Sequence, residues 1–398
     1  MKILVVNVGS TSYKCRLYDM ETETEAAKGS IEKVGTAQAI VSYSKGKETL
    51  VDRKIIPVSD HKDAVKLING YLLSDEIGVI KDLLDISAVG FKTIQAGEKN
   101  GSVLLTREVT EAMERYASLA PAHNPPYLKC IYYFREIMQC TPLVGVFEPG
   151  FHTEVPEYAR VFGTPYEWYE KHHVQKYGYH GATFRYVTDH AVGKSGLPKE
   201  SIKIIACHLG GSSSICAYKG GRSMDVSMTF TPQSGLLQTN RTGDIDPFIL
   251  PYIMEQKKIP LEAALKELTS NGGLKGISGT SGDMRDIWKE ADKGSSQAKL
   301  AIDKFVYDVV RYIGAYYVLL QGVDVIAFSG GIGLNDCRLR EMIMDRIAFL
   351  GIELDPAESG NTAEGWKTKK SSKIKVLTVN TNEEIVVARE TRKVVAFA

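Results

Sequence analysis

The sequence predicts an α/β protein built as two related lobes, and three observations carry that prediction. Short apolar, β-branched runs alternate with longer stretches of helical periodicity along the whole chain. At 398 residues the chain is longer than one hydrophobic core usually supports. The opening stretch, ILVVNVGSTSYKCRLYD, returns near mid-chain as IIACHLGGSSSICAYKG at an offset of 201 residues.

Strands are expected at Ile3–Val8, Tyr13–Tyr18, Ala88–Thr93 and Leu143–Phe147 in the first half. Those in the second half are Lys203–His208, Ser213–Tyr218, Val323–Phe328 and Lys375–Val379. Each is a short run bounded by glycine, proline or small polar residues. Helical periodicity marks Asp63–Leu73, Pro126–Met138, Pro247–Lys257, Ala298–Leu320, Arg338–Leu350 and Glu383–Val395. The stretch around Glu148–Gly150 is the expected crossing between lobes. The first lobe then covers 1–150 and is completed by the last helix, 384–398, with the second lobe at 151–383. The repeat sets Asn7 on His208, Gly9 on Gly210, Thr11 on Ser212, Ser12 on Ser213 and Cys15 on Cys216.

Composition narrows the function. The 43% hydrophobic and 24% charged fractions are those of a soluble globular protein, and the net charge of +1 argues against nucleic acid or an anionic membrane as partner. No apolar run reaches the length of a membrane span. The start of the chain reads as a strand rather than a signal peptide. The six cysteines show no CxxC spacing and several lie in apolar runs, which suits a reducing, cytoplasmic setting.

Both repeated segments read strand, polar residue, glycine, small hydroxyl residues, second strand. Such turns let a backbone approach closely and present successive N–H groups to an anion, and Lys14 adds a positive charge. Neither is a Walker A loop. A third glycine turn, VIAFSGGIGLN (325–335), joins a strand to a helix N-terminus and suits a nucleotide. A fourth, GISGTSGDMRDI (276–287), carries Asp283 and Arg285; Asp283 equally suits a helix N-cap. By themselves, His180 before a glycine also suits a structural role, and Arg241 near Asp244 an ion pair.

Eight stretches in order, NVGSTSYK, APAHNPP, YGYHGATFRYV, CHLGGSSS, TNRTGDIDP, GISGTSGDMRDI, FSGGIGLN and TNEEIVVAR, resemble the acetate and propionate kinase family over nearly the whole chain. The resemblance implies the duplicated ribonuclease-H-like (actin-like ATPase) fold, with two lobes and a central cleft. It implies an ATP-dependent, reversible carboxylate kinase that makes an acyl phosphate, with Mg²⁺ or Mn²⁺, as a cytoplasmic homodimer. Carried over, it places His180, Arg241, Glu148, His123 and Lys92 in catalysis. Lys92, Ile94, Ala122, Tyr179 and Pro232 would meet the acyl substrate. Ser10, Ser12, Lys14, His208, Gly210, Gly211, Ser212 and Ser213 would meet nucleotide and phosphates, with Asp283, Met284, Arg285, Gly330, Gly331, Ile332, Gly333 and Asn335. Asn7 and Glu384 would hold the metal. Two other readings stay open at this stage: a phosphohydrolase acting on polyphosphate or pyrophosphate, and a nucleotide-binding regulator without turnover.

The chain departs from the family pattern at several of these positions. Lys92 stands for an arginine and Gln95 for a histidine in GFKTIQAG; Glu148 stands for an aspartate. Phe184 replaces a histidine, Gly211 an asparagine and Ser234 a glutamate. Ala122 for leucine and Tyr179 for phenylalanine are expected to make the acyl pocket larger and more polar, and so to shift preference toward larger or hydroxylated acids.

Overall fold

A computed structural model of the chain describes residues 1–121 and 123–397. Ala122, one of the expected pocket residues, lies outside them. The chain divides into two compact units, Met1–Thr153 with Asn382–Ala398, and Glu154–Thr381. Each is an α/β unit on one mixed sheet.

The first unit holds β1 (Lys2–Gly9), β2 (Ser12–Asp19), β3 (Thr24–Glu32), β4 (Thr36–Lys45), β5 (Glu48–Val58), β6 (Ile86–Thr93), β7 (Ser102–Leu104) and β8 (Leu143–Phe147), in spatial order β5-β4-β3-β2-β1-β6-β8-β7. β1 to β5 run antiparallel as a meander, while β6 and β8 lie parallel to β1. One face is apolar: Leu4, Val6, Val8, Tyr13, Leu17, Val41 and Tyr43 are buried with the helices His61–Leu73 and Asn124–Ile137. The opposite face carries Asn7, Lys14 and Lys92, as strand alternation requires. The helix Glu383–Ala396 covers part of that second face. Gly90 makes room for it, since a Cβ there would lie 2.2 Å from Thr391 Oγ1.

The second unit holds β9 (Lys203–His208), β10 (Ser214–Lys219), β11 (Arg222–Val226), β12 (Val325–Ser329), β13 (Gly365–Trp366) and β14 (Lys375–Thr378), in order β11-β10-β9-β12-β14-β13. The helix Ser296–Leu320, capped by Ser295, contributes Ala301, Phe305, Val309 and Ile313 to its core. Among the described residues no helix is long and apolar enough to cross a membrane.

The sequence repeat is therefore a structural one. The orders β3-β2-β1-β6-β8 and β11-β10-β9-β12-β14 match strand for strand and direction for direction. The constant offset of 201 needs a correction, because it holds only through the first strand of each hairpin. Asn7 pairs with Lys14, seven residues on, but His208 pairs with Ser214, six residues on. The second hairpin is one residue shorter. Cys15 thus corresponds to Ile215, and Cys216 faces the other side of its sheet.

Candidate active site

In the first unit the expected site residues lie at the polar ends of β1, β2 and β6 and at the start of the C-terminal helix. The β1–β2 turn is tight: a Cβ on Gly9 would fall 2.5 Å from Ser12 Oγ. His61 Nε2 holds the turn by donating to the Gly9 carbonyl at 2.9 Å. Asn7 Oδ1 accepts from the buried Tyr127 hydroxyl at 3.1 Å, which fixes the amide. The helix Glu383–Ala396 is capped by Asn382, whose Oδ1 accepts from Ile385 N and from the Tyr18 hydroxyl. That cap sets Glu384 near β2, with Oε1 3.8 Å from Arg16 Nε. Asn7, Lys14 and Glu384 line one cavity of about 250 Å³. Asn7 and Glu384 offer hard oxygen donors of different kinds. No group of three or more His, Cys, Asp or Glu side chains among the described residues forms a metal cage. One carboxylate and one amide oxygen suit Mg²⁺, which keeps several waters and takes phosphate oxygens as ligands.

Beside this cavity sits a buried charge cluster. Lys92 Nζ lies 3.2 Å from Glu148 Oε1 and bonds the Glu383 carboxylate. Lys92 and Glu148 are 16% and 5% exposed. Burial disfavours the ammonium, but the two carboxylates outweigh it and hold the Lys92 pKa well above its ordinary value. Glu148 and Lys92 therefore meet each other. Relative to the arginine and aspartate of the family pattern, one side chain has lost its fork and the other has gained a methylene.

Gln95, in the histidine position, is fully buried. Its Oε1 accepts from Gly97 N and Asn100 Nδ2 at 2.8 and 2.6 Å, which closes the loop after β6. Asn124 then ties that loop to the next helix by donating to the Gln95 and Met113 carbonyls. This anchors His123, the residue before it. Ile94 packs against the first core.

In the second unit the β9–β10 turn is the hub. His180 adopts a left-handed conformation, φ 59°, at the start of the helix Gly181–Ser195. It shares a 2.7 Å hydrogen bond with Ser214 Oγ, and its ring centroid lies 4.7 Å from that of His208. His208 in turn shares a bond with Ser329 Oγ. Arg241 Nη1 donates to Ser212 Oγ at 3.3 Å, Gln238 Oε1 at 3.2 Å and the Pro232 carbonyl at 3.3 Å. Burial lowers its pKa from the ordinary guanidinium value. The ion pair with Asp244 gives way to these contacts. Asp244 instead accepts from Gly235 N and the Tyr312 hydroxyl. His180 and Arg241 thus both reach the β9–β10 turn.

A cavity of about 1010 Å³ opens beside that turn, lined by Gly210, Gly211, Asp283, Arg285, Gly331 and Asn335 among others. Met284 and Ile332 line it too, with Met284 also buried in the second core. Gly330 is forced by close approach: with φ 79°, a Cβ would lie 2.5 Å from the Leu209 carbonyl. Gly333 follows on the short helix Gly330–Asn335, where its N–H donates to Leu209 O. Ser213 is buried, and its hydroxyl closes the turn on Gly210. Asp283 does cap the helix Met284–Asp292, accepting from Arg285 N. It also binds the Arg285 guanidinium through both oxygens, and that hydrogen bonding lowers its pKa to about 2.

Two expectations about the acyl pocket change. The Tyr179 hydroxyl donates to the Phe230 carbonyl at 2.9 Å and the side chain is buried, so its polarity is committed to the protein. Ser234, in the glutamate position, closes the 229–234 loop through Thr229 N and the Thr231 carbonyl. Sequence reasoning passed over Tyr127, Gln238 and Trp288. Gln238 Oε1 accepts from both Ser212 and Arg241, and its Nε2 donates to the Pro232 carbonyl. Its only signal was its place immediately before TNRTGD. Trp288 lines the large cavity and donates to Asp336, the N-cap of the helix Cys337–Ile347.

Comparison with known proteins gives the family. The sequence pattern of the Acetokinase family matches residues 2–389. The chain is 41% identical over 398 residues to the acetate kinase of Clostridium novyi (strain NT), covering 99% of this chain and 98% of that protein. Among solved structures, Porphyromonas gingivalis acetate kinase matches with a TM-score of 0.90 at 34% identity, over 99% of each chain. A propionate kinase from Francisella tularensis matches at 0.89 and 32%, over 98% of this chain and 99% of that one. The two mixed sheets are those of the duplicated actin-like ATPase fold, and the chain belongs to the acetokinase family.

Proposed function

We propose that this phosphotransferase moves the γ-phosphoryl group of ATP, reversibly, to a short-chain carboxylic acid. The acid is acetate, propionate or a larger or hydroxylated relative. The observation that carries this reading is the Lys92 ammonium on the polar face of the first unit, held by Glu148 and Glu383. A carboxylic acid is already ionised near pH 7, so it needs no general base. It needs a cation to hold it against an approaching phosphate. An ammonium has three donors. Two of them meet Glu148 and Glu383, and the third serves the acceptor.

Phosphoryl transfer asks chiefly for positioning and for neutralisation of charge on the equatorial oxygens. Arg241 and His180 supply donors for those oxygens from the second unit. His123 and the Ser10–Ser12 turn supply further polar groups from the first. Asn7 and Glu384 would hold Mg²⁺ or Mn²⁺, which when bound neutralises phosphate charge. The large cavity of the second unit takes the nucleotide, with the N–H groups around Gly210 and Gly331 toward its phosphates.

A single ammonium orients a carboxylate less firmly than the guanidinium of the family pattern, because the second parallel hydrogen bond is lost. Discrimination among chain lengths should relax accordingly, and Ala122 in place of leucine favours a longer acid. The test is a panel of small carboxylic acids with ATP and Mg²⁺, read by hydroxamate trapping. An acid longer than acetate should give the highest kcat/KM. Acetate leading by a wide margin would reject the shifted preference.

A further inference from the structure

The cavity that holds Asn7 and Glu384 continues past them, across β2, β3 and β4. Strand register shows why. Asn7, Lys14, Ser30 and Ser42 form one cross-strand row, and Val5, Arg16, Lys28 and Ser44 the next. All eight line the cavity. With strands about 4.8 Å apart, each row is about 14 Å long. A merely solvated sheet face ordinarily mixes charges of both signs. These two rows carry three cations, three hydroxyls and an amide, and no carboxylate. Acids stand at the margin: Glu384 at the metal end, Glu32 beyond the rows, and Glu25 against Arg16. Arg16 is engaged by Glu25 and Glu384. Among the described residues, neither Lys14 nor Lys28 has an acidic partner within ion-pair distance. Lys28 is exposed and faces open space beside Ser30 and Ser42.

We propose that this panel is a second anion subsite, distinct from the position of the transferring phosphoryl group. It takes a tetrahedral oxyanion of the phosphate class, held by Lys28, Ser30 and Ser42 with Lys14 at the boundary. The proposal rests on the kinase reading only for what occupies the Asn7–Glu384 end. The cations are point charges in contact with water, so affinity is modest and falls as salt rises. The same chemistry fits free inorganic phosphate and the phosphate of a small monoester.

Calorimetric titration of the full-length protein, without nucleotide and in low-salt chloride buffer, tests this, with inorganic phosphate, glycerol phosphate and sulfate as separate probes. Saturable phosphate binding is expected. In Lys28→Glu, and separately in the Ser30→Ala/Ser42→Ala pair, it should weaken about tenfold or more, while KM for ATP and for the acid stays within about twofold. Glycerol phosphate binding as tightly as inorganic phosphate assigns the subsite to monoesters; binding only of the free ion assigns it to inorganic phosphate. No saturable binding of any probe up to about 20 mM, at the low ionic strength that favours it, overturns the proposal. So does unchanged affinity in both variants, which would place the anion at the Asn7 end. Circular dichroism confirms that each variant folds. A protein that binds phosphate in this way but trapped no hydroxamate would contradict the kinase reading alone.

Discussion

Lys92 is the residue on which chemistry and stability meet. Its ammonium compensates two carboxylates, one of them almost wholly buried. Lys92→Met removes the ammonium beside the buried Glu148 carboxylate, and breaking a buried ion pair costs about 3–5 kcal/mol. Urea unfolding should show that loss, and Lys92→Met/Glu148→Leu should recover most of it. Neither variant should hold the acceptor, so the double variant separates folding from activity. Gly211 makes the opposite case. A Cβ there would meet nothing nearer than Thr239 Oγ1 at 3.7 Å. Gly211→Asn should therefore keep its unfolding midpoint and change only the KM for nucleotide. These positions also show what sequence could tell. Lys92, Glu148 and Gly211 stood out because they broke a recognisable pattern. What each does instead was not legible, since it depends on the partner that a side chain finds. Gln95 and Tyr179 read as altered chemistry, yet one closes a loop and the other bonds a carbonyl.

At the scale of elements, the C-terminal helix links chain end to chain start. Arg389 binds Glu23 at 3.0 and 2.6 Å, Arg392 adds a third contact, and Arg392 also donates to the Met20 carbonyl. Hydrogen bonding to Arg389 chiefly, with its charge and that of Arg392, lowers the Glu23 pKa. The sign follows from linkage. A depressed carboxylate contributes stability that is present above its unfolded value of about 4.3 and is lost as pH falls through the folded value. Amide exchange in the helix Glu383–Ala396 should quicken relative to the core strands as pH drops from about 5 toward 3, after correction for intrinsic rates. Glu23→Gln should show the faster exchange already at pH 6 and lose that pH step. The helix itself was visible in sequence, because its apolar period is long and Asn382 caps it. β4 and β5 were not. β5 is an edge strand whose aliphatic residues Leu50, Val51, Ile55, Ile56 and Val58 are split by Asp52–Lys54 and by register irregularities, so no clean alternation shows. β1, β6, β8, β9 and β12 were legible because burial on both faces makes them continuous apolar runs.

For the whole molecule, one supersecondary plan is used twice and diverges where chemistry demands. The first sheet gained strands at its edge, and the second hairpin lost a residue. That loss turned a serine, Ser214, into the partner of His208 in register and of His180 by hydrogen bond. The repeat was legible because strand and glycine spacing survive divergence. The one-residue slip was not, because register is set by the ladder. On the function proposed above, Lys92, Asn7 and Glu384 would serve acceptor and metal, and Arg241 and His180 the charge on the transferring phosphoryl group. Arg241→Ala should therefore lower kcat by about 10²–10³ with little change in acceptor KM, as expected for a donor aimed at transition-state charge.

The measurement that tests the central claim most directly is product analysis of ATP turnover in the presence of a carboxylic acid and Mg²⁺. ADP and trapped acyl hydroxamate should form in equal amounts, with no ADP when the acid is omitted, and both should vanish together in Lys92→Met/Glu148→Leu. ADP and free phosphate appearing at the same rate with or without any acid, and no hydroxamate, would contradict it.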